Sequence, residues 1–228
     1  MSDTWLFLTS GPARAAFNMA LDEALLEAVA ELGHPVLRAY QWSEPAATFG
    51  YFQRYADVER MTPLRPLIRR PTGGGLVLHA NDWTYSLVFP PNHAWYSLAA
   101  VESYRRLHEW IAAAFALLGL RTQLAAAAHK DVPGACFAGP EQFDLLLDGR
   151  KVAGAAQRRA SKGLLIQGSI QPLPENVNRA ELAAALCRAA HYQRDVAWVS
   201  WPLPAPVHRR ALSLAATKYS RPEHNGRR

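Results

Sequence analysis

The order in which helical and strand patterns follow one another is the feature that most constrains the fold of this chain. Five of nine strand-like segments lie between two long segments with helical spacing, at 15–32 and 97–119, and three follow the second. The regular alternation of strand and helix that marks a doubly wound fold is absent from this order. The sequence therefore predicts an α+β fold with a mixed, largely antiparallel sheet flanked by helices.

Turn and cap residues set the bounds of these elements. Gly33 ends the first long helix, and the second is expected to begin at a Ser97 cap and to end at Gly119. The dipeptide Asp148-Gly149, between two apolar segments, is the strongest hairpin pattern in the chain. The predicted helices cover 15–32, 97–119, 180–190 and 205–216, and the predicted strands cover 5–8, 36–42, 46–52, 67–70, 76–79, 84–89, 143–147, 151–157 and 164–170.

Length and composition favour a single domain with a large core. Half of the 228 residues are hydrophobic and 19% are charged, which excludes a disordered chain, a collagen-like rod and a coiled coil as the main structure. We expect one domain over residues 1–220 and a frayed basic tail over 221–228.

Two features bear on the compartment. The cysteines, Cys136 and Cys187, are too few for a disulfide framework, which indicates a reducing compartment or a thiol with a function. Asp3 stands where a secretory signal needs a basic residue, and the longest stretch without a formal charge, 83–101, is interrupted by two prolines. We therefore expect a cytoplasmic protein without a membrane segment.

The net charge of +6 is unevenly distributed. Residues 1–114 carry 9 basic and 11 acidic side chains and residues 115–228 carry 16 and 8, so the halves have charges of −2 and +8. The basic half should face an acidic partner. Nucleic acid is the usual one, but a basic helix, zinc-ligand spacing and RNP-like aromatic strands are absent, so acidic proteins are an equally good partner class.

The first candidate site is the segment 69–79, in which Gly73, Gly74 and Gly75 follow one another. Three glycines cost about 0.5–1 kcal/mol each in backbone entropy, so the local backbone must serve a purpose there, such as the close approach of a ligand. A flexible hairpin tip is the ordinary explanation, but the flanking Arg70 and His79 favour amides that hold an anion or a carbonyl. The spacing fits neither a Walker loop nor GxGxxG, so it does not imply a nucleotide.

The two cysteines lie in different surroundings. Cys187 stands among leucines and alanines of a predicted helix, where a cysteine is most often a small buried hydrophobic residue. Cys136 lies in a loop at 132–140 with prolines and glycines on both sides, and loops commonly display reactive groups. A nucleophilic thiol there would need a nearby cation to favour the thiolate.

A third candidate is the strand at 151–157. Alternation places Lys151, Ala153, Ala155 and Gln157 on one face, so a cation is followed by two methyl-sized side chains and an amide, which leaves room for a ligand. A solvated hairpin lysine is the ordinary explanation; the scarcity of lysine, four among 25 basic residues, speaks against it only weakly. No spacing of His, Cys, Asp and Glu suggests a metal site.

Four segments together resemble the lipoate–protein ligase/biotin ligase superfamily. They are FNMALDEALL at 17–26, RRPTGGGLVLH at 69–79, FDLLLDGRKVAGAAQRR at 143–159 and LLIQGSI at 164–170. A thiol loop ahead of GRKVAGAAQ resembles the cysteine-dependent octanoyltransferases, which move octanoyl from acyl carrier protein to a lysine of lipoyl domains or of the glycine-cleavage H protein. The resemblance implies a mixed sheet akin to the cores of class II synthetases and biotin ligases.

The resemblance also implies roles for individual residues. Cys136 is similar to the acyl-accepting nucleophile and Lys151 to the lysine that contacts the acyl carbonyl. The residues expected to bind the acyl substrate and to cover its tunnel are Arg70, Thr72, Gly73, Gly74, Gly75, His79, Gly154 and Ala155, the last standing where serine is frequent.

The partners and cofactors follow from the same resemblance. We expect acyl carrier protein as donor, a lipoyl domain or H protein as acceptor, no nucleic acid, and no cofactor or metal. An ATP-dependent lipoate–protein ligase, or less so a biotin ligase, stays open and would need ATP and magnesium. Ligases usually carry a further C-terminal domain, and none fits after residue 170, which favours the transferase. Because some ligases have a separate small subunit, the ligase stays an alternative. A non-catalytic acyl- or nucleic-acid-binding module is a third hypothesis.

Overall fold

The computed structural model describes residues 2–129 and 134–227. Strands and helices are numbered in chain order. The strands are Asp3–Ala13 (β1), Val36–Trp42 (β2), Ala46–Phe49 (β3), Leu67–Arg69 (β4), Val77–His79 (β5), Trp83–Phe89 (β6), Thr122–Leu124 (β7), Leu145–Leu147 (β8), Arg150–Ala160 (β9), Gly163–Ile170 (β10) and Val196–Ser200 (β11). The helices are Ala15–Leu32 (α1), Tyr55–Met61 (α2), Ala94–Ser97 (α3), Ala100–Leu117 (α4), Arg179–Arg194 (α5), Ala205–Leu214 (α6), which continues as a π-helical turn at Ala215–Tyr219, and Pro222–Asn225 (α7).

An eight-stranded sheet in the order β11-β1-β2-β6-β10-β9-β8-β7 forms the centre of the fold. The pairs of β1 with β11 and with β2 are parallel, and the other five are antiparallel. The predicted α+β class with a mixed, largely antiparallel sheet is therefore confirmed.

Helices cover both faces of this sheet. Alternation along β6 sends Leu87 and Phe89 into an apolar layer with α4 and α5, and Val88 into a second layer with α1 and α6. Both layers consist of fully or nearly fully buried side chains. The predicted amphipathic helices are thus confirmed as the two outer layers of the domain.

A second, three-stranded sheet in the order β4-β3-β5 stands beside the large one. The sequence predicts strands at 36–42 and 46–52 joined by a turn; in the structure the chain bends at Ser43 and Glu44 without a hydrogen-bonded turn, and the second strand ends at Phe49. Strand β2 belongs to the large sheet and β3 to the small one, so the two strands do not pair with each other. The small sheet brings the end of β4 and the start of β5 together at the end of β3, and the segment 70–76 between them and β5 itself carry candidate site residues.

Two turn predictions are confirmed and one cap is wrong. Gly33 ends α1 with φ of 70°, and Asp148 and Gly149 form the tight turn of the β8–β9 hairpin with φ of 50° and 74°. Ser97 does not cap the second long helix. It ends the short α3, and α4 begins at Ala100 after the extended Ala99, without a side-chain cap.

The C-terminal residues differ from the expected frayed tail. Residues 222–225 form a helix, and Asn225 is buried against Arg69. The Arg69 guanidinium donates to the carbonyl oxygens of His224 and Asn225, which anchors this polar segment to β4. Arg228 lies outside the described residues. No helix in the described ranges is long and apolar enough to cross a membrane.

Candidate active site

A cavity of about 620 Å³ lies between the small sheet, the segment after it and strand β9. Apolar and aromatic side chains such as Met19, Trp42 and Val77 form much of its wall. The structure brings nearly all of the predicted site residues to this cavity: Arg70, Gly73, Gly74, Gly75, His79, Cys136, Lys151, Gly154 and Ala155.

Thr72 is the predicted site residue that does not line the cavity. It is fully buried, and its hydroxyl donates to Oε1 of Gln167 at 2.7 Å. Gln167 does line the cavity. Thr72 therefore lies behind the cavity wall, where it is placed to orient Gln167, and its expected contact with substrate stays a prediction.

Cys136 is held at the cavity wall by the strand that follows the glycines. Leu76 donates from its backbone to Gly134 O at 2.7 Å and accepts from the backbone of Cys136 at 3.0 Å. The backbone N–H of Gly75 donates to Cys136 Sγ at 3.0 Å. Residues 132 and 133 of the predicted loop lie outside the described residues.

Two of the three glycines, Gly74 and Gly75, are required by their surroundings or by their backbone conformation, whereas a Cβ at Gly73 would meet no atom within 4 Å. A Cβ at Gly75 would lie 2.3 Å from Gly134 O, and one at Gly50 would lie 1.8 Å from Gly74 O. Gly74 itself has φ of 81°. The sequence suggested that a ligand requires the bare backbone, whereas in the structure neighbouring segments of the same chain already require it.

Arg70 reaches the cavity from the end of β4. Its guanidinium donates to the carbonyl oxygens of Gly73 and Gly75, both at 2.7 Å, and to the carbonyl and hydroxyl oxygens of Thr48 at 3.1 and 3.2 Å. Burial lowers the pKa of Arg70, and the adjacent Cys136 opposes this lowering. Arg70 and the thiol are therefore direct neighbours.

His79 lies behind Arg70 in a fully hydrogen-bonded position. Its Nε2 is 2.8 Å from Thr48 Oγ1, its Nδ1 is 2.7 Å from Asp82 Oδ2, and its ring stacks on Trp42 at 3.9 Å between centroids. Burial lowers the pKa of His79 and outweighs the opposing bond to Asp82, so the imidazole is neutral at neutral pH. Asp82 also accepts from Ser169 at 2.7 Å.

Lys151 is placed differently from the prediction. Strand β9 has one extra residue opposite Leu145 and Leu146, so the alternation changes at this bulge and Lys151 does not share a face with Ala153. Ala153 is buried in the layer with α4 and α5. A Cβ on Gly154 would lie 2.7 Å from Lys151 Cε, so Gly154 makes room for the lysine.

The positive charge of the Lys151 ammonium is balanced by an ion pair with a carboxylate. Nζ lies 2.6 Å from Asp144 Oδ2 and 2.5 Å from the carbonyl oxygen of Cys136, and the side chain is only 6% exposed. Tyr104 donates its hydroxyl to the same carboxylate. Burial raises the pKa of Tyr104 and Asp144 raises it further, so the phenol stays protonated. The ordinary explanation, a solvated hairpin lysine, is therefore excluded.

Sequence reasoning missed a second buried charged centre next to the cavity. Asp22 accepts from Arg38 at 2.6 Å, from Ser86 at 2.7 Å, from Gln167 at 2.7 Å and from Tyr40 at 3.1 Å. Arg38 and Asp22 are both fully buried. Asp144 was missed as well.

A signal for the Asp22 centre existed in the sequence. Asn18 and Asp22 are four residues apart on the apolar face of α1, where polar side chains need partners in the core. For Asp144, which stands alone before a strand, no such spacing exists. Cys187 is only partly buried, less than the sequence predicts, and burial raises the pKa of its thiol to about 11. Within the described chain, no three His, Cys, Asp or Glu side chains are grouped as metal ligands.

The sequence is similar to named proteins. It matches the family described as the lipoyl protein ligase A/B catalytic domain over residues 14–197. It is 38% identical over 182 residues to the octanoyltransferase LipM of Halalkalibacterium halodurans, with 74% of this chain and 66% of that protein covered. It is 39% identical over 182 residues to the octanoyltransferase LipM of Bacillus subtilis, with 74% and 65% covered. The chain thus spans slightly less than two thirds of the length of these relatives.

Two solved structures share the fold. Lipoate-protein ligase A bound with ATP has a TM-score of 0.78 at 20% identity, with 99% of each chain covered. The bi-partite lipoate protein ligase of Thermoplasma acidophilum, described with its E2 lipoyl domain, has a TM-score of 0.76 at 20% identity, with 99% of this chain and 97% of that chain covered. At these identities the likeness concerns the fold, whereas the sequence match covers most of the chain. The chain belongs to the lipoyl protein ligase A/B catalytic domain family.

Proposed function

We propose that this protein transfers an octanoyl or lipoyl group from an acyl carrier protein thioester, through an acyl-enzyme on Cys136, to a lysine of a lipoyl domain or of the glycine-cleavage H protein. The observation that carries the proposal is the Cys136 sulfur in the wall of a largely apolar cavity, with the Gly75 amide 3.0 Å away. The similarity to octanoyltransferases supports the same reaction.

The first half-reaction loads the enzyme. The Cys136 thiolate attacks the thioester carbonyl carbon, a C–S bond to Cys136 forms, and the donor thiolate leaves and takes a proton from solvent. A thioester donor already carries the activation that ATP would otherwise supply, so this exchange is nearly isoenergetic. The apolar wall holds the chain, which keeps the carbonyl near the sulfur.

The second half-reaction delivers the acyl group. The neutral amine of the acceptor lysine attacks the Cys136 thioester, the amide bond forms, and the C–S bond breaks as the thiolate is restored. The proton of the amine passes to solvent. Amide formation from a thioester is downhill, so neither ATP nor magnesium is needed in this scheme.

Lys151 supports both steps in this scheme. Its ammonium already binds the carbonyl oxygen of Cys136 and the carboxylate of Asp144, which fixes it beside the reacting cysteine. A cation in this position stabilises negative charge on the acyl oxygen during attack. The backbone of Gly154 leaves the space that this side chain needs.

The basic half of the chain supports acidic carrier proteins as partners. Transfer at low substrate should fall with added salt, because rim charges act mainly on encounter. Arg158→Glu is the variant to use, since Arg158 makes only a long contact of 3.8 Å to Glu23. It should raise KM more than it lowers kcat. Arg159 is the poorer choice, because it donates to Leu98 O and stacks on Tyr96. A rate that does not change with salt would contradict a role of the basic half in docking the carrier proteins.

The test of the function is the mass of the intact protein after mixing with octanoyl-acyl carrier protein. We expect one octanoyl adduct in the wild type and in Cys187→Ala, and none in Cys136→Ala. Transfer to a lipoyl domain should be lost in Cys136→Ala and stay within a few-fold in Cys187→Ala. An active Cys136→Ala protein that requires ATP would instead establish the ligase.

A further inference from the structure

The cavity wall contains a buried cation whose hydrogen bonds go to carbonyl and hydroxyl oxygens. Arg70 is 5% exposed, and its four bonds end on Thr48, Gly73 and Gly75. Within residues 2–129 and 134–227 it forms no ion pair with a carboxylate. Carbonyl oxygens satisfy the hydrogen-bond donors of the guanidinium but do not balance its positive charge. A buried charge without a counter-ion is costly. The site is therefore built to hold an anion beside Arg70.

The atom that occupies this place is the sulfur of Cys136. The point where a Cβ of Gly74 would lie is 2.9 Å from Arg70 Nη2 and 3.6 Å from Cys136 Sγ, so both atoms border the same small space. Gly75 links them as well, because its carbonyl accepts from Arg70 and its N–H donates to Sγ. The sulfur thus faces one charged donor and one amide donor.

The other ionisable groups around the cavity do not provide this positive charge. The ammonium of Lys151 is paired with Asp144 at 2.6 Å. His79 is neutral because burial lowers its pKa, and Tyr40 and Tyr104 stay protonated because burial raises theirs. Glu141 also lines the cavity, and as an acidic side chain it does not provide a positive charge either. In the described part of the chain, Arg70 is the cation left to balance the sulfur.

A chain of hydrogen bonds holds this guanidinium in position. Arg70 Nη1 donates to Thr48 Oγ1 at 3.2 Å, and Thr48 Oγ1 lies 2.8 Å from His79 Nε2. The Asp82 carboxylate 2.7 Å from Nδ1 can only accept, so the proton of the neutral His79 lies on Nδ1, and Nε2 accepts the hydroxyl proton of Thr48. The small sheet creates the chain, because its central strand carries Thr48 and its neighbours end at Arg69 and His79.

We propose that Arg70 is the counter-ion of the Cys136 thiolate, and that Thr48, His79 and Asp82 are the positioning residues that hold its guanidinium at the sulfur. The assignment rests on the proposed function, in which Cys136 is both nucleophile and leaving group. When the acyl group is loaded, Arg70 loses its anion to a neutral thioester. When the acceptor amine displaces the sulfur, the thiolate returns to Arg70, so the cation favours attack and departure alike.

The experiment measures alkylation of Cys136 by iodoacetamide as a function of pH, in a Cys187→Ala background so that one thiol reports. Arg70→Met should move the midpoint of the profile to higher pH by about 1–3 units, the usual effect of an adjacent charge. Arg70→Lys keeps the charge but loses the forked geometry, so its shift should be smaller. Thr48→Val and His79→Gln should shift the midpoint in the same direction and by less. The surface variant Arg210→Met is the matched control and should leave the profile unchanged.

The outcomes separate this assignment from the proposed function. A folded Arg70→Met protein with the wild-type alkylation profile overturns the assignment, even if octanoyl transfer proceeds in the wild type. If Arg70→Met fails to fold, Thr48→Val decides, since it removes one acceptor and keeps the charge. A shifted profile in a protein that never gains an octanoyl adduct supports the ion pair and rejects the transferase.

Discussion

The two buried arginines beside the cavity, Arg38 and Arg70, are held in opposite ways. Arg38 has a carboxylate partner, Asp22, at 2.6 Å, and both side chains are fully buried. Arg70 is bound by carbonyl oxygens and faces the sulfur of Cys136. The first centre is neutral and complete without any ligand, whereas the second is complete only when the thiol has lost its proton.

The difference separates stability from reactivity. A neutral, fully bonded centre holds elements together, and its loss should unfold the protein before it alters chemistry. A cation without a carboxylate partner instead favours the deprotonated form of a neighbouring acidic group. Substitutions at the two centres should therefore appear in different measurements.

The largest effect is expected at the neutral centre. Arg38→Ala leaves Asp22 buried without its cation, which should lower the free energy of unfolding by about 3–5 kcal/mol. Urea denaturation measures this loss. Arg210→Ala is the control, because its pair with Glu27 is partly exposed and such pairs contribute about 0–1 kcal/mol. Equal urea midpoints for the two variants would show that the Arg38–Asp22 pair does not stabilise the fold more than a surface ion pair.

Lys151 combines the properties of both centres and sharpens the comparison. Like Arg38, it forms an ion pair with a buried carboxylate, and like Arg70, it lies beside Cys136. Lys151→Ala should therefore lower both the stability of the protein and the rate of transfer. We expect kcat to fall by about a hundred- to thousand-fold, or about 2.7–4 kcal/mol of transition-state stabilisation. Removing the buried carboxylate as well, in Lys151→Ala with Asp144→Asn, should recover part of the stability and none of the rate. Near-wild-type transfer in the single variant would return Lys151 to a structural role.

A smaller effect is expected from acid, through a buried histidine of α4. Burial lowers the pKa of His108 to about 4 from its ordinary 6.5, against the opposing charge of Asp144. The unfolded chain therefore binds a proton that the folded protein does not, and stability present above pH 6.5 is lost as pH falls towards 4, by up to about 3 kcal/mol. His79 acts in the same direction.

Urea midpoints across this pH window provide the measurement. His108→Phe should flatten the decline, and the exposed His208→Gln should keep it as in the wild type. A decline that is unchanged in His108→Phe would place the acid-sensitive group elsewhere.

Local signals in the sequence were sufficient for much of the fold. Helix α1, the Gly33 terminus and the Asp148-Gly149 turn depend on a few adjacent residues, and all three are confirmed. The prediction that Ser97 caps the second long helix was wrong, because Ala99 is the N-cap residue of α4 and its side chain makes no capping hydrogen bond. The bulge in β9 depends on pairing with another strand, so alternation within the segment placed Lys151 on the wrong face.

The site was predictable where residue types cluster in sequence. The glycine segment with Arg70 and His79, the cysteine loop and Lys151 were all identified, and the structure brings them to one cavity. Asp22, in helix α1, and Asp144, before β8, were missed because their cationic partners lie 16 and 7 residues away, on strands β2 and β9. Pairing at such separations is a property of the folded sheet.

The amide of Gly75 turns the chemistry of the site into a spectroscopic observable. Its proton points at the sulfur, and the amide belongs to a glycine, a type whose resonances are readily separated in nitrogen-15 spectra. Thiolate, thiol and thioester are acceptors of decreasing strength, so each state of Cys136 should give this amide a different chemical shift. Turnover could then be followed on the unlabelled substrate, at one backbone position, without any substitution.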